Sequence, residues 1–430
     1  MDKICIEAQY GAALSREEVH AAFDRYVDKL SGSLKKILLL PPDATRKHSG
    51  AGWLTRILYH KLSRRATVTI MPATGTHRPM TERELADMFG DVPLERFIAH
   101  QWRSDPELLG IVPTDLVQRI SSGLLSGAIR MTVNRRVLSG EFDRIVSLGQ
   151  VVPHEVVGMA NYSKNVLVGC GGKEIIDKSH FLGAVYGLER LMGRDHSPVR
   201  RLYDYGQKEF LDRLPLDYVL TVNGTNINAR TGFTDLTGIF IGRERKVFEA
   251  AVALSQKLNI TRLSEPEKKF VVYLDKDEFR STWIGCKAIY RTRLAVADGG
   301  EIVVIAPGLD RLGEDPRFDR LIRKHGYGNT ERILQQVSKD EELAANLAVA
   351  AHLIHGSTEG RFRVTWAGDA IAKEVVEGVN FGYMSLAQAQ ERYGYRSLSE
   401  GRQRTAMGED IYYINNPAAG LWVAVEKFET

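Results

Sequence analysis

Runs of consecutive apolar residues alternate along this chain with stretches whose apolar positions recur every three or four residues. The first helical stretch opens at Ser15-Arg16-Glu17-Glu18, a capping box in which serine and glutamate side chains satisfy backbone N–H groups that a helix start leaves open. Val19, Phe23, Tyr26, Val27 and Leu30 then share one face. Ile37-Leu38-Leu39-Leu40 reads as a buried strand, followed by a loop over 43–50 and a helix over 53–62. Residues 67–71 form the next strand, and the loop 73–79 leads to a second capping box, Thr81-Glu82-Arg83-Glu84. A strand within 142–152, a helix over 174–192 and a strand at 218–222 continue the alternation. Strands that are apolar throughout are covered on both faces, so the pattern predicts an α/β fold with mostly parallel sheets.

The charged run Leu263-Ser264-Glu265-Pro266-Glu267-Lys268-Lys269 interrupts this order. A fresh unit follows it: a strand at 270–274, a helix from about Ser281 and a strand at 302–306. The sequence therefore predicts two α/β domains, 1–265 carrying the cofactor and catalysis and 266–430 behind it, with the stretch after residue 410 free to return to the first. A length of 430 residues suits two or more domains of roughly 100–200 residues each.

Composition narrows the class only a little. Basic residues number 58 against 54 acidic, interspersed, for a net charge of +4, which is not the clustered excess of a nucleic-acid binder. No apolar stretch is long enough to span a membrane, and Met1–Glu7 lacks the apolar core of a signal peptide. Cys5, Cys170 and Cys286 are odd in number and far apart, which fits neither a disulfide framework nor a zinc ribbon. The expectation is a cytoplasmic enzyme with no membrane or nucleic-acid partner.

Candidate chemistry gathers where strands end. His77 lies in Thr74-Gly75-Thr76-His77-Arg78-Pro79 and His154 in Val152-Pro153-His154-Glu155, each after a strand, and His180 lies on the helix that follows. Ligands of open α/β sheets bind outside the carboxyl ends of the strands. Asp43-Ala44-Thr45-Arg46 also follows a strand; its arginine can hold a carboxylate or phosphate and its aspartate can orient a histidine. Val168-Gly169-Cys170-Gly171-Gly172-Lys173-Glu174 opens a helix and can cradle a phosphate, but Leu167 and Glu174 break the Walker A pattern. From these residues alone three readings stay open: loop and core histidines, a His₃ zinc hydrolase site, or an acid/base pair. Ile176 and Ala184, one turn either side of His180, also suit a core position. His352 and His355 form a further candidate metal pair whose apolar surroundings favour a structural role.

Taken together, Asp43-Ala44-Thr45-Arg46, Thr74–Pro79, Pro153-His154, Lys164 and His180 resemble the lactate racemase family, whose members use a nickel-pincer nucleotide. The spacing carries the resemblance, with nine residues between His154 and Lys164 and fifteen between Lys164 and His180. It extends through Lys287 and Ala297-Asp298-Gly299-Gly300-Glu301. The resemblance implies that Lys164 holds a pyridinium-3,5-bisthiocarboxylic acid mononucleotide covalently. His180 is then the protein ligand to its nickel, and Thr45, Gly169, Gly171 and Gly172 are cofactor-binding positions. His77 and His154 are the acid/base pair supported by Asp43, and Arg46 and Lys287 bind the substrate carboxylate. The implied activity is racemisation or C2-epimerisation of a 2-hydroxy acid by reversible hydride transfer, with the site in the interdomain cleft and cofactor-biosynthesis and nickel-insertion enzymes as partners.

The chain departs from that pattern in places. Asn161-Tyr162-Ser163 precedes Lys164 where lactate-type members carry a Ser-Gly-Gly-like run, and Val168-Gly169-Cys170 stands where they carry Pro-Gly. Ile284, beside Trp283, replaces a substrate-side glutamine. With Trp283 and Trp366 as substrate-wall residues, the expected substrate is larger than lactate, such as an aldonate or gluconate. A lactate- or malate-type racemase and a non-catalytic cofactor-binding protein are the alternatives.

Overall fold

The computed structural model describes residues 3–9, 12–30, 32–227, 232–418 and 420–429. It divides into two units: residues 1–179 with 193–259, and residues 180–192 with 260–430.

In the first unit a six-stranded sheet runs in the order Ile4–Glu7, Thr234–Gly242, Leu216–Ile227, Arg144–Gln150, Lys36–Leu40, Thr67–Ile70. The last four pair in parallel, with Leu39 opposite Ile70 and Leu40 opposite Ser147. The first two join antiparallel, a pairing that the apolar pattern did not reveal. Alternation sorts the buried strands by face. Ile37, Leu39, Val68, Ile70, Val146 and Leu148 share one core with Val19, Phe23 and Tyr26 of the helix Arg16–Lys29 and Leu54 and Leu58 of the helix Ala51–Leu62. Each such side chain taken out of water contributes about 1.5–3 kcal/mol. Both capping boxes form: Glu18 N–H donates to the Ser15 hydroxyl at 3.2 Å, and Ser15 N–H to the Glu18 carboxylate at 2.7 Å. The Thr81–Glu84 pair repeats the arrangement.

The second unit holds a six-stranded sheet in the order Gly382–Met384, Arg363–Ala367, Val296–Ile305, Glu267–Tyr273, Asp410–Ile414, Gly401–Arg404. All its pairs are parallel except the last. A short parallel pair, Ile260–Leu263 with Leu421–Ala424, lies beside it.

Three details differ from the sequence reading. The units part at residues 259 and 260, not near 265, and the chain's last strand groups with the second unit. The end of the charged run that interrupted the pattern, from Glu267 on, already belongs to a central strand, because its charges are met across the sheet. Glu267 accepts from Arg402 Nε at 2.6 Å, and Lys269 lies between Glu301 at 3.3 Å and Glu409 at 2.6 Å. The helix expected over 174–192 breaks at Gly187, whose φ of 104° no helix tolerates, leaving Lys173–Tyr186 and Leu188–Leu191.

Candidate active site

Two parallel strands set the core of the site. Lys36–Leu40 and Thr67–Ile70 run side by side, and a single bridge between Pro42 and Ala73 carries the pairing past their ends. The loops that follow therefore emerge together. The segment 43–50, expected as an open loop, is a short 3-10 helix, Ala44–Ser49, capped by Asp43. One carboxylate oxygen of Asp43 accepts from the backbone N–H of Thr45 at 3.2 Å and from its hydroxyl at 2.6 Å. The other lies 2.6 Å from Nδ1 of His77. Burial pushes the Asp43 carboxyl up, but the hydrogen bond and charge of His77, the Thr45 hydroxyl and Arg46 together hold it below its usual value. An ionised carboxylate accepts only, so Nδ1 of His77 carries the hydrogen and neutral His77 keeps its lone pair on Nε2.

His154 is bound the opposite way. It sits on the two-residue ladder Pro153–His154 with Gly158–Met159, beyond the end of Arg144–Gln150, and is 5% exposed. The Val156 N–H donates to its Nδ1 at 3.1 Å. In the neutral ring the hydrogen then resides on Nε2.

Lys164 lies in the helix Ser163–Leu167. The side chain of the next residue, Asn165, donates to the Leu40 carbonyl at 3.1 Å and to the Ser147 hydroxyl at 2.9 Å, which pins this helix over the ends of two central strands. Burial, helped by the Arg46 and Arg200 charges and opposed by Glu155 and Asp43, holds the Lys164 amine down to about 8. Asp43, Arg46, His77 and Lys164 thus form one electrostatic cluster. Glu155, Asn165 and Arg200 were not singled out from sequence.

The glycine run packs beside this cluster. Gly75 N–H donates to the Gly169 carbonyl at 2.9 Å, joining the His77 loop to it. A Cβ on Gly169, Gly171 or Gly172 would collide with Asn165 O, Leu167 O or the Thr132 hydroxyl. Close backbone packing thus accounts for all three glycines. His100, 1% exposed, adds a bond from Nε2 to the Gly171 carbonyl at 3.1 Å. Cys170 is fully buried and its thiol is pushed up to about 12, so it stays protonated.

In the second unit, His180 is half-buried on the helix Lys173–Tyr186. Lys287 is half-buried, its Nζ 5.4 Å from the centre of the Phe279 ring. Trp283 stacks on Phe318 and His352, with centroids 5.0 and 4.4 Å apart. Trp366 is a correction to the sequence reading. It is 1% exposed and packs under Gly285 and against Phe381, so this bulky ring is core and not wall. Asp298 lies inside a strand and pairs with Arg361 and Lys427.

His352 ends a directed chain of hydrogen bonds. Thr282 donates to the Leu312 carbonyl, Tyr327 donates to Thr282 at 2.7 Å, and Tyr327 and Tyr290 each lie 2.8 Å from a ring nitrogen of His352. Both nitrogens are thereby engaged within the protein, which supports the structural reading of that histidine. Among the described residues no group of three or more His, Cys, Asp or Glu side chains is placed to hold a metal. No helix among the described residues is long and apolar enough to cross a membrane.

Residues 12–189 match the model of the lactate racemase N-terminal domain. Lactate racemase from Thermoanaerobacterium thermosaccharolyticum is 26% identical over 293 residues, 66% of this chain. Over these segments the chain is similar to lactate racemases. The matched segment spans 62% of that racemase's length. Two solved structures share the fold over nearly the whole chain. A protein from Thermotoga maritima superposes with a TM-score of 0.83 at 24% identity, covering 97% of this chain and 99% of its own. The lactate racemase apoprotein from T. thermosaccharolyticum gives 0.68 at 17% identity, covering 96% and 94%. The chain has a fold of two mostly parallel α/β sheets, as its apolar pattern predicts.

Proposed function

We propose that this protein is a racemase or C2-epimerase of 2-hydroxy acids that carries a nickel-pincer nucleotide on Lys164. The observation that carries this reading is the cluster of Asp43, His77, Arg46 and Lys164 over the ends of two parallel strands. The residues fit the group. Attachment needs a neutral amine, and the Lys164 amine at about 8 supplies one near neutral pH. Lys164 would hold the group through its amine, by condensation with a thiocarboxylic acid that releases water. Thr74, 4% exposed in the adjoining loop, has a hydroxyl without a hydrogen-bond partner among the described residues, a group that a bound ligand can satisfy. His180 is the proposed protein ligand to nickel, an imidazole donor suited to that metal.

The group, when bound, would supply a hydride acceptor and donor for the α-hydrogen. Every proton is the protein's business. Nε2 of His77, with its lone pair fixed by Asp43, removes the hydroxyl proton of one enantiomer and returns it on reversal. His154 is the proposed acid/base residue for the other enantiomer, and the tautomer that Val156 N–H sets presents its Nε2–H as a donor. Arg46 is the proposed holder of the carboxylate, keeping the hydroxyl within reach of a histidine, and Lys287 is the second cation that the resemblance implies. A carrier protein would use Lys164 and His180 but would have no use for a carboxylate-oriented His77.

The proposed substrate is larger than lactate, of the aldonate kind. Ile284 beside the half-buried Trp283 supports this, replacing an amide with an apolar surface. The test is intact mass and nickel content of protein co-expressed with cofactor-biosynthesis and nickel-insertion enzymes, beside Lys164→Ala. A nucleotide-sized adduct with about one nickel per chain, lost in Lys164→Ala, is the expected result. No adduct, or zinc in its place, overturns the reading. Faster turnover of lactate than of any aldonate overturns the substrate class alone.

A further inference from the structure

Lys164 is delivered by a backbone that its own residues disfavour. Asn161 and Tyr162 both have positive φ, 71° and 59°. Tyr162 combines this with a ψ of −137°, a region that a residue with a Cβ enters only when its surroundings force it.

One side chain grips both flanks of this pair. Arg200 lies on the helix Pro198–Glu209 and is 0% exposed. Its Nη2 donates to the Met159 carbonyl at 2.6 Å and the Asn161 carbonyl at 3.4 Å, and its Nη1 to the Ser163 hydroxyl at 3.4 Å. The Phe248 ring centre lies 4.4 Å from the guanidinium, and the same ring stacks on that of Tyr162 with centroids 5.3 Å apart. The Tyr162 hydroxyl donates to the Arg243 carbonyl at 2.9 Å. A buried guanidinium costs several kcal/mol of desolvation, and an apolar side chain of the same volume would usually serve stability as well. The fork geometry, reaching three acceptors on one loop, is what an apolar side chain cannot copy.

We propose that Arg200 is a positioning residue: by holding Asn161 and Tyr162 in the left-handed conformation it sets the Lys164 amine for covalent attachment of the cofactor. This rests on Lys164 being the attachment point. The charge of Arg200 also acts on the amine in the direction that favours its neutral form. Three features meet here: a strained pair, a buried fork and a reactive amine two residues on.

The experiment compares the parent with Arg200→Gln, Arg200→Lys and Arg200→Gln combined with Asn161→Gly. Two readouts are taken. One is the rate of Lys164 acetylation by acetic anhydride across pH in protein without cofactor, followed by peptide mass. The other is the adduct fraction after co-expression with the biosynthesis enzymes. Misplacement of a reacting group by about 1 Å costs on the order of 100-fold, so Arg200→Gln is expected to form adduct on that order more slowly. Arg200→Lys, which keeps charge without the fork, stays defective. Adding Asn161→Gly to Arg200→Gln restores part of the loss, because glycine takes positive φ unaided. Parent-level adduct and an unchanged acetylation profile in Arg200→Gln would overturn the proposal, as would no recovery on adding Asn161→Gly to a folded Arg200→Gln. If Arg200→Gln does not fold, Arg200→Lys decides, and parent-level adduct there overturns it. A parent that never forms adduct refutes the attachment reading, while the acetylation profiles still report on Arg200.

Discussion

Asp43 and His77 meet through a single 2.6 Å contact between a buried carboxylate and Nδ1 of a ring that is 39% exposed. The contact fixes which nitrogen faces outward as a base. Asp43→Asn offers an amide that can present either oxygen or NH₂ to the ring, so the fixed tautomer is lost. With general acid/base catalysis worth about 10²–10⁴-fold, kcat/KM for the proposed reaction should fall by roughly that factor while the adduct on Lys164 persists. Steady-state kinetics beside intact mass reads both.

Lys164 makes stability depend on pH in a direction that can be worked out. Its amine stands at about 8 in the folded protein against 10.5 in the unfolded chain. Below pH 8 both states hold the proton, and folding bears the full cost of burying that charge, added to by Arg46 and Arg200 and offset in part by Glu155 and Asp43. Between about 8 and 10.5 the folded state has released the proton first, and the cost disappears as pH rises. Lys164→Met should therefore be more stable than the parent at pH 7, with the gap closing above pH 8. Urea unfolding of both proteins across pH checks this.

Hydride transfer leaves the α-hydrogen out of exchange with solvent. Epimerisation in D₂O should give product with little deuterium at C2. His77→Ala and His154→Ala should each keep nickel and adduct and lose turnover. Ready deuterium incorporation at C2 would indicate direct proton abstraction.

His352 should matter for stability alone. His352→Leu removes the 2.8 Å partner of the Tyr290 and Tyr327 hydroxyls while Tyr327 keeps its bond to Thr282, so a loss of about 1–3 kcal/mol in all is expected. Chemical denaturation should show the loss, and nickel content should not change.

The parts of this molecule that were legible in its sequence are those specified by neighbours along the chain. Ser15 with Glu18 and Thr81 with Glu84 are three residues apart and both form as capping boxes. The apolar run Ile37–Leu40 reads as a buried strand and is one, within Lys36–Leu40. The site was legible as a set of loops after strands, because parallel pairing brings successive strand ends to one edge. Its electrostatics were not. Asn165 reaches Leu40 across 125 residues and Arg200 reaches Met159 across 41, and no periodicity encodes such a reach. Arg200 did leave a trace, as a charge beside Val199, Leu202 and Tyr203 on a buried helix face. Trp366 misled because a tryptophan reads alike in a wall and in a core until its neighbour Gly285 is known to sit on it.

Residues 180–192 group with the second unit although they lie within the sequence of the first, and this has a consequence for biosynthesis. Glu189 accepts from Arg293 Nε at 3.0 Å and pairs with Arg361, partners 104 and 172 residues downstream. At about 5–20 residues per second, roughly 5–20 s of translation separate Glu189 from its first partner and longer from its second. During that interval the segment bearing His180 has left the ribosome without its anchor. A fragment ending at residue 259 would keep it in that state permanently, so the first unit cannot be excised as one continuous stretch without an orphaned segment.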